Sequence, residues 1–394
     1  MTNTDCVSSR HDTGMTHQTF TGRSAGKKKP AAVAAFVCLC LIASLPLPAG
    51  AYVTVLLYHR FDENRYPSTT TSSAQFEQQM RYLKTNGYTV LSMDTLADCV
   101  KARRPIPEKG VVITIDDGFI SEYERAVPIL RRYGYPFCIF VFSRSIGAAN
   151  YLSWSQLKQL ESWGGEVGCH SHTHPRLINS REQEMEQEIG GSKEFMERNL
   201  GRKVNYFAYP FGQYDGKVRA SARKAGFSLM LTSDPGSVGP GAQFDRIPRQ
   251  AIVGSGMSIQ DFAAKLKNPP LGVSGRIPAS GTLPSYRVPR VSLTLKNPQL
   301  YEPGQVNVFL SEKKRLDAHF DLGTGLVSCS GPFYLTRKTN RIIVTARRKS
   351  DGLFAMDSYL IVLPGNPSPG KRLRYTLKRD DLSFGRDLAM TRPW

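Results

Sequence analysis

The chain reads as an α/β protein, a (β/α) barrel followed by a small all-β sandwich. Three observations carry that expectation. From Tyr52 to about Gly256, short β-branched runs alternate with amphipathic helical segments. Around residues 268–284 the composition turns to Pro and Gly, and beyond it only short strands separated by turn signals recur. The 394 residues are 40% apolar and 22% charged, ample for two cores. That composition excludes collagen, wholesale disorder and a polytopic membrane protein.

The elements follow in order. Val53–Tyr58 is a buried strand. Ser73 caps a helix whose face carries Phe76, Met80 and Leu83, and Gly87 stops it. Val111–Ile115 is the next buried strand and runs into Asp116-Asp117-Gly118. A helix from about Glu122 to Tyr133 closes at Gly134. Strand Phe137–Phe142, helix Ser155–Trp163 and strand Glu166–His170 come next. Ser180 with Gln183 forms a capping box for a long charged helix to Leu200. Strand Tyr206–Tyr209, helix Gly216–Ala225 and strand Phe227–Leu231 complete the series. Largely apolar strands in βα units imply a parallel sheet covered by helices, and their number favours a closed barrel. Beyond the linker, Val291–Leu295, Val306–Leu310, Phe333–Leu335, Ile342–Thr345 and Tyr359–Leu363 read as sandwich strands.

The expected organisation is a signal peptide with a polar extension at 1–51, a catalytic domain at 52–267 and a linker at 268–284. A β-sandwich at 285–370 and a basic tail at 371–394 follow. Lys27-Lys28-Lys29 precede a charge-free apolar core that ends in Leu45-Pro46-Leu47-Pro48 and Ala49-Gly50-Ala51. A basic flank, a core too short to span a bilayer and a small-residue site describe a secretory leader. The protein is therefore expected to be exported, periplasmic or extracellular, and membrane-anchored if the leader is kept. Removing the leader would leave Cys99, Cys138, Cys169 and Cys329 in a compartment that permits disulfides, with no pairing readable.

The formal charge of +19 is uneven: +3 over residues 1–30, +5 over 31–274 and +11 over 275–394. A basic C-terminal region suits an anionic envelope surface. Export and the lack of a recognition motif argue against nucleic acid.

Chemistry gathers at strand ends. Asp116 and Asp117 stand at the mouth of a buried strand, where two adjacent acids are costly unless they bind a cation or exchange a proton. His170, His172 and His174 also follow a strand, and two histidines four apart can meet one ion, for which zinc is the favoured candidate. Two imidazoles and one carboxylate leave a coordination position open for water. Tyr209-Pro210-Phe211-Gly212 shapes a turn whose backbone N–H could face an oxyanion.

In this order the three motifs resemble the polysaccharide deacetylase superfamily, the NodB-homology domain of carbohydrate esterases, over about residues 52–265. The resemblance implies a distorted (β/α) barrel that removes acetyl groups from sugars with a divalent metal. It implies Asp116 as catalytic base, Asp117, His170 and His174 as metal ligands, and Phe211 as donor of the oxyanion N–H. His172 is left as a supporting or alternate group. The Arg that many members carry two residues before the motif Pro is replaced by Ala208, and Arg246 or Arg249 is expected to substitute. No histidine lies between His174 and His319, so His59 is the candidate acid. Tyr58, Tyr209 and Arg249 are expected at the substrate. Tyr58-His59 and Phe207–Gly212 look most like deacetylases of β-1,6-linked poly-N-acetylglucosamine. An O-acetyl esterase and a catalytically degraded glycan-binding protein are the competing expectations.

Overall fold

The structure, a computed structural model, describes residues 50–364. The apolar leader and the basic tail from Lys371 lie outside the described residues. Eight parallel strands form the first sheet: β1 (Val53–Tyr58), β2 (Thr89–Leu91), β3 (Gly110–Asp117), β4 (Phe137–Val141), β5 (Gly165–Cys169), β6 (Tyr206–Ala208), β7 (Leu229–Leu231) and β8 (Gln250–Ala251). Their order is β8-β1-β3-β4-β5-β6-β7, with β2 beside the first half of β3. The two ends of that order are joined through one short stretch. Ile247 bonds the β7 backbone, and three residues later Gln250 is in register with Leu56 of β1. Arg249 is therefore carried on the segment that closes the barrel.

Alternation sorts the strand residues into two cores. Leu56, Tyr58, Ile113, Ile115, Ile139 and Val141 pack with helical residues such as Phe76, Met80, Leu130 and Leu157. Val53, Val55, Val112, Phe140, Ala208 and Leu231 meet Val238 and Ile247 in the other. Each fully buried branched side chain contributes about 1.5–3 kcal/mol, so the period of two also locks the register. Asp116 shares the parity of Val112 and continues the inner face.

The helices are α1 (Ser73–Thr85), α2 (Met93–Val100), α3 (Val127–Tyr133), α4 (Trp154–Ser162), α5 (Glu182–Glu186), α6 (Ser192–Leu200), α7 (Gly216–Lys224) and α8 (Ile259–Lys265). Two caps shift by one residue from expectation. Ser72, not Ser73, accepts from Gln75 N, and the box at the charged helix pairs Arg181 with Glu184. A first π-helical turn, Glu122–Ala126, precedes α3, and a second, Gln187–Gly191, interrupts that charged helix. The strand β2 and helix α2 were not foreseen; Thr89–Leu91 is too short a run to signal a strand. Cys99, Cys138, Cys169 and Cys329 are free and buried.

The C-terminal residues form two sheets around one core that includes Val291, Leu293, Val308, Val344 and Tyr359. The stretch expected as linker is part of them: β9 (Val273–Ile277) pairs β11 (Arg287–Leu295), and β10 (Gly281–Thr282) pairs the last strand. The remaining strands are β12 (Tyr301–Leu310), β13 (Lys314–Leu316), β14 (His319–Phe320), β15 (Leu326–Tyr334), β16 (Thr339–Arg348) and β17 (Phe354–Val362). Pro and Gly there mark strand ends and bends rather than a free tether. Among the described residues, no helix is long and apolar enough to cross a membrane.

Candidate active site

Asp116 is buried at 2% exposure, and a carboxylate there must be paired to be tolerated. Arg249, itself 1% exposed, supplies the pair as a fork, with Nη1 to Oδ1 and Nη2 to Oδ2 both at 2.7 Å. Its Nη1 also donates to Thr114 Oγ1 at 3.2 Å and its Nε to the Thr232 carbonyl at 2.8 Å. Burial alone would raise the Asp116 pKa, but the Arg249 charge and hydrogen bonds, helped by His170, outweigh it and hold the group at about 2. Asp116 is therefore ionised throughout the working range. Arg249 was expected at the substrate or beside Asp116; it stands beside Asp116, and its buried guanidinium is spent there.

Asp117 points the other way because its backbone turns. Its φ is 92° and that of Gly118 is 77°. At Gly118 a Cβ would stand 2.7 Å from Val141 Cγ1, so only glycine fits. Glu122 of the first π turn secures the bend by accepting from Phe119 N at 2.8 Å. The Asp117 carboxylate then faces two imidazoles, with Oδ1 3.7 Å from His170 Nε2 and 3.5 Å from His174 Nε2. The two Nε2 atoms are 3.1 Å apart.

The His170–His174 loop is held by a carboxylate from the second π turn. Glu188 accepts from His172 N at 3.0 Å, Thr173 N at 2.8 Å and Thr173 Oγ1 at 2.6 Å. His170 Nδ1 lies 2.7 Å from the Ala208 carbonyl, which can only accept, so Nδ1 carries the hydrogen and Nε2 the lone pair. His172 turns aside to Ser143 Oγ at 2.8 Å and is not in the cluster.

The donor set fits a divalent cation. Ligand atoms about 2.0–2.1 Å from a tetrahedral ion lie about 3.3 Å from one another, close to the three observed separations. Burial lowers the His170 pKa to about 4; burial and the neighbouring His170 lower that of His174 to about 3, so both offer neutral lone pairs. Burial and the charge of Asp116 raise the Asp117 pKa to about 7, a carboxyl short of a positive partner. Among the described residues, this is the one group of His, Cys and carboxylate side chains with metal-binding spacing.

The turn after β6 completes the mouth. Phe211 has φ 59° and Gly212 φ 60°. A Cβ on Gly212 would lie 2.5 Å from Ser233 Cβ, so this turn is packed directly on the chain following β7. Asp117, Ser171, His174 and Phe211 are all non-glycine residues at positive φ, a concentration of backbone strain at one place. The Phe211 ring is 38% exposed, 4.6 Å from the His174 ring and under Arg176 at 4.4 Å. From His174 the rings continue through Phe142 and Tyr151 to Phe119, with centroids 5.6, 5.3 and 5.1 Å apart. Arg60 then stacks on Phe119 at 3.4 Å and Tyr66 at 4.0 Å. This aromatic rim joins five loops and has no periodic signature, so sequence reasoning missed it.

Two expected residues stand elsewhere. Tyr58 is fully buried and donates to Gln79 Oε1 at 2.9 Å; Tyr209 is fully buried and donates to the Asp245 carbonyl at 3.0 Å. Both are core residues with their hydroxyls spent, since the strand period turns them toward the helices. His59 follows β1, where burial lowers its pKa to about 4 and it senses the charges of Asp116, Arg249 and His174. Arg246 leaves the site altogether and donates to the Ser358 carbonyl at 2.9 Å.

Residues 103–230 match the family model described as polysaccharide deacetylase. YxkH of Bacillus subtilis, which bears the same description, is 28% identical over 218 residues, 55% of this chain and 77% of that protein. The poly-beta-1,6-N-acetyl-D-glucosamine N-deacetylase of Escherichia coli K12 is 22% identical over 272 residues, 57% of this chain but 40% of that protein. Among solved structures, IcaB from Ammonifex degensii superposes with a TM-score of 0.51 at 28% identity, over 55% of this chain and 97% of that one. By motif order, barrel and these matches, the barrel part of the chain is similar to polysaccharide deacetylases, with the family model itself matching residues 103–230.

Proposed function

We propose that this protein is a metal-dependent hydrolase that removes N-acetyl groups from a poly-N-acetylglucosamine-like polysaccharide of the envelope or extracellular matrix. The observation that carries this is the placement of an unpaired, cation-seeking Asp117–His170–His174 cluster directly beside an Arg-clamped Asp116, with a His170 Nε2 to Asp116 Oδ2 separation of 3.9 Å.

A divalent cation, zinc by its ligand set, held by Asp117, His170 and His174 would lower the pKa of water and polarise the acetyl carbonyl. Asp116 is the base that takes the proton from attacking water, kept ionised and fixed by Arg249. The Phe211 N–H is the donor to the oxyanion. The proton must then reach the departing nitrogen. His59 is neutral at rest, so it serves as a relay from Asp116 rather than as a donor already charged. The aromatic rim from Phe211 to Tyr66 suits stacking on sugar rings.

The glycan assignment leans on relatives named as deacetylases of β-1,6-linked poly-N-acetylglucosamine. An O-acetyl ester would be attacked by the same groups. The degraded, binding-only alternative rested on the missing motif Arg and the missing late His; the two Arg249 bonds to Asp116 weigh against the first ground. Export is supported by the leader composition. An anionic surface partner is supported by Lys313, Arg315, Arg337 and Lys338, exposed where Glu312 ties the β12–β13 turn to Thr336.

The test is acetate release from N-acetylglucosamine oligomers, with chelator and then added zinc, beside Asp116→Asn. Zinc-dependent release that falls about 10²–10⁴-fold in the variant is expected. Metal binding without release from any acetylated glycan would sink the proposal.

A further inference from the structure

The clamp on Asp116 is itself clamped, and the outer jaw belongs to the C-terminal sheets. Arg249 is held at two points by the chain that follows β7: its Nε donates to the Thr232 carbonyl at 2.8 Å and its backbone N–H to the Asp234 carbonyl at 3.0 Å. The same stretch lies under the Phe211 turn, where Ser233 fills the space a side chain on Gly212 would need. Both halves of the candidate chemistry, the base and the oxyanion turn, thus rest on residues 232–235.

That stretch has no regular secondary structure to hold it. Thr232 at its start bonds the Ile247 carbonyl through N and Oγ1, and the anchors of Asp234 and Pro235 come from β16 and β17. Arg341 Nε donates to Asp234 Oδ1 at 2.9 Å, and Ser358 Oγ donates to the Pro235 carbonyl at 2.6 Å. Tyr214, three residues after Phe211, donates to Asp234 Oδ2 at 2.5 Å and accepts from the Leu360 backbone N–H at 3.2 Å. Arg246, three residues before Arg249, donates to the Ser358 carbonyl at 2.9 Å. Asp234 is 1% exposed, so its carboxylate depends on Arg341 and Tyr214 for compensation.

We infer that the C-terminal β module is part of the catalytic apparatus rather than an appended glycan binder, and that Arg341 is a positioning residue acting on Asp116 through Asp234 and Arg249. The inference rests on the deacetylase proposal. A base displaced by about 1 Å can lose up to about 100-fold in rate without losing substrate affinity. Without Arg341, Asp234 is left buried with a charge short of its partner, and the 232–235 stretch must move to relieve it. Arg249 moves with that stretch because it has two bonds to it. Among the described residues, no hydrogen bond or ion pair ties Asp117, His170 or His174 to the stretch, so the cluster is spared.

The experiment uses the full chain with Arg341→Ala, Arg341→Lys and the control Arg347→Ala, whose ion pair with Glu302 lies within the β module. Acetate release gives kcat and KM, calorimetry gives zinc affinity, and thermal melting gives the folded fraction. Expected for Arg341→Ala is a kcat loss of about tenfold or more with KM and zinc affinity within about twofold. Arg341→Lys, with the charge but without the Nε–H that reaches Asp234 Oδ1, should lie between, and Arg347→Ala should match wild type. Should Arg341→Ala not fold, reduced kcat in a fully folded Arg341→Lys carries the same conclusion. Wild-type kcat in both Arg341 variants, an equal loss in Arg347→Ala, or a parallel loss of zinc affinity would overturn the inference. No acetate from the wild type would instead overturn the deacetylase proposal, so the two failures are told apart.

Discussion

Arg249 and Asp116, 133 positions apart in the chain, meet through two parallel hydrogen bonds of 2.7 Å inside the barrel. The pair does two things at once. It offsets the desolvation of a carboxylate at the end of β3, and it fixes that carboxylate beside the Asp117–His170–His174 cluster.

Breaking the pair should therefore show in both stability and rate. Arg249→Met leaves Asp116 buried and uncompensated, a cost of about 3–5 kcal/mol, read as a shift in urea midpoint at unchanged slope. Arg249→Lys keeps the charge but offers one point instead of a fork. It should hold most of the stability while acetate release falls at least about tenfold. Equal rates for the Lys variant and wild type would show that the fork geometry is irrelevant.

Metal removal should act on the same site from the other side. Two neutral imidazoles and a carboxylate pushed up to about 7 gain a partner when zinc binds. Zinc at about 100 times its Kd should then stabilise the fold by about 2.7 kcal/mol. His174→Ala should abolish that stabilisation while leaving the melting temperature of the metal-free protein within a few degrees. Full zinc stabilisation in that variant would remove His174 from the ligand set.

Glu122 offers a test by pH. Its side chain is fully buried, Oε1 accepts from Phe119 N, and Oε2 has no hydrogen-bond partner among the described residues. Burial, with the nearby Asp117 and Asp116 charges, raises its pKa well above the ordinary 4.5. A folded-state pKa above the unfolded one means the protonated form is favoured by folding. Its stabilising contribution is complete below about 4.5 and is lost as pH rises toward the raised value. Glu122→Gln mimics the protonated form at all pH. The variant's stability advantage over wild type should widen from pH 5 to 8 in denaturant titrations, and a constant gap would show that Glu122 ionises freely in the fold.

The sequence was most legible where chemistry is local. Asp116-Asp117 and His170-x-x-x-His174 each sit at the end of an apolar run, so motif, strand and position in the barrel could be read together. The near-continuous apolar runs of β1 and β3 also announced a buried parallel sheet. Tyr58 and Tyr209 were misplaced because the motif around each lies at a strand end, while the strand period points the side chain itself into the helical layer. Residues 268–284 were misread because Pro and Gly look alike in a tether and at the bends of sheet strands.

What the amino-acid order determined alone was most of the inventory: the longer barrel strands, which acids and imidazoles stand at their ends, and hence the class of chemistry. Which Arg answers Asp116, the aromatic rim along Phe211, Phe142 and Phe119, and the tie from Arg341 through Asp234 to Arg249 were decided only by the tertiary structure. Each joins residues from separate loops or sheets, 107 positions apart for Arg341 and Asp234. Periodicity encodes which face of an element is buried, but not which distant side chain arrives to compensate a charge buried there.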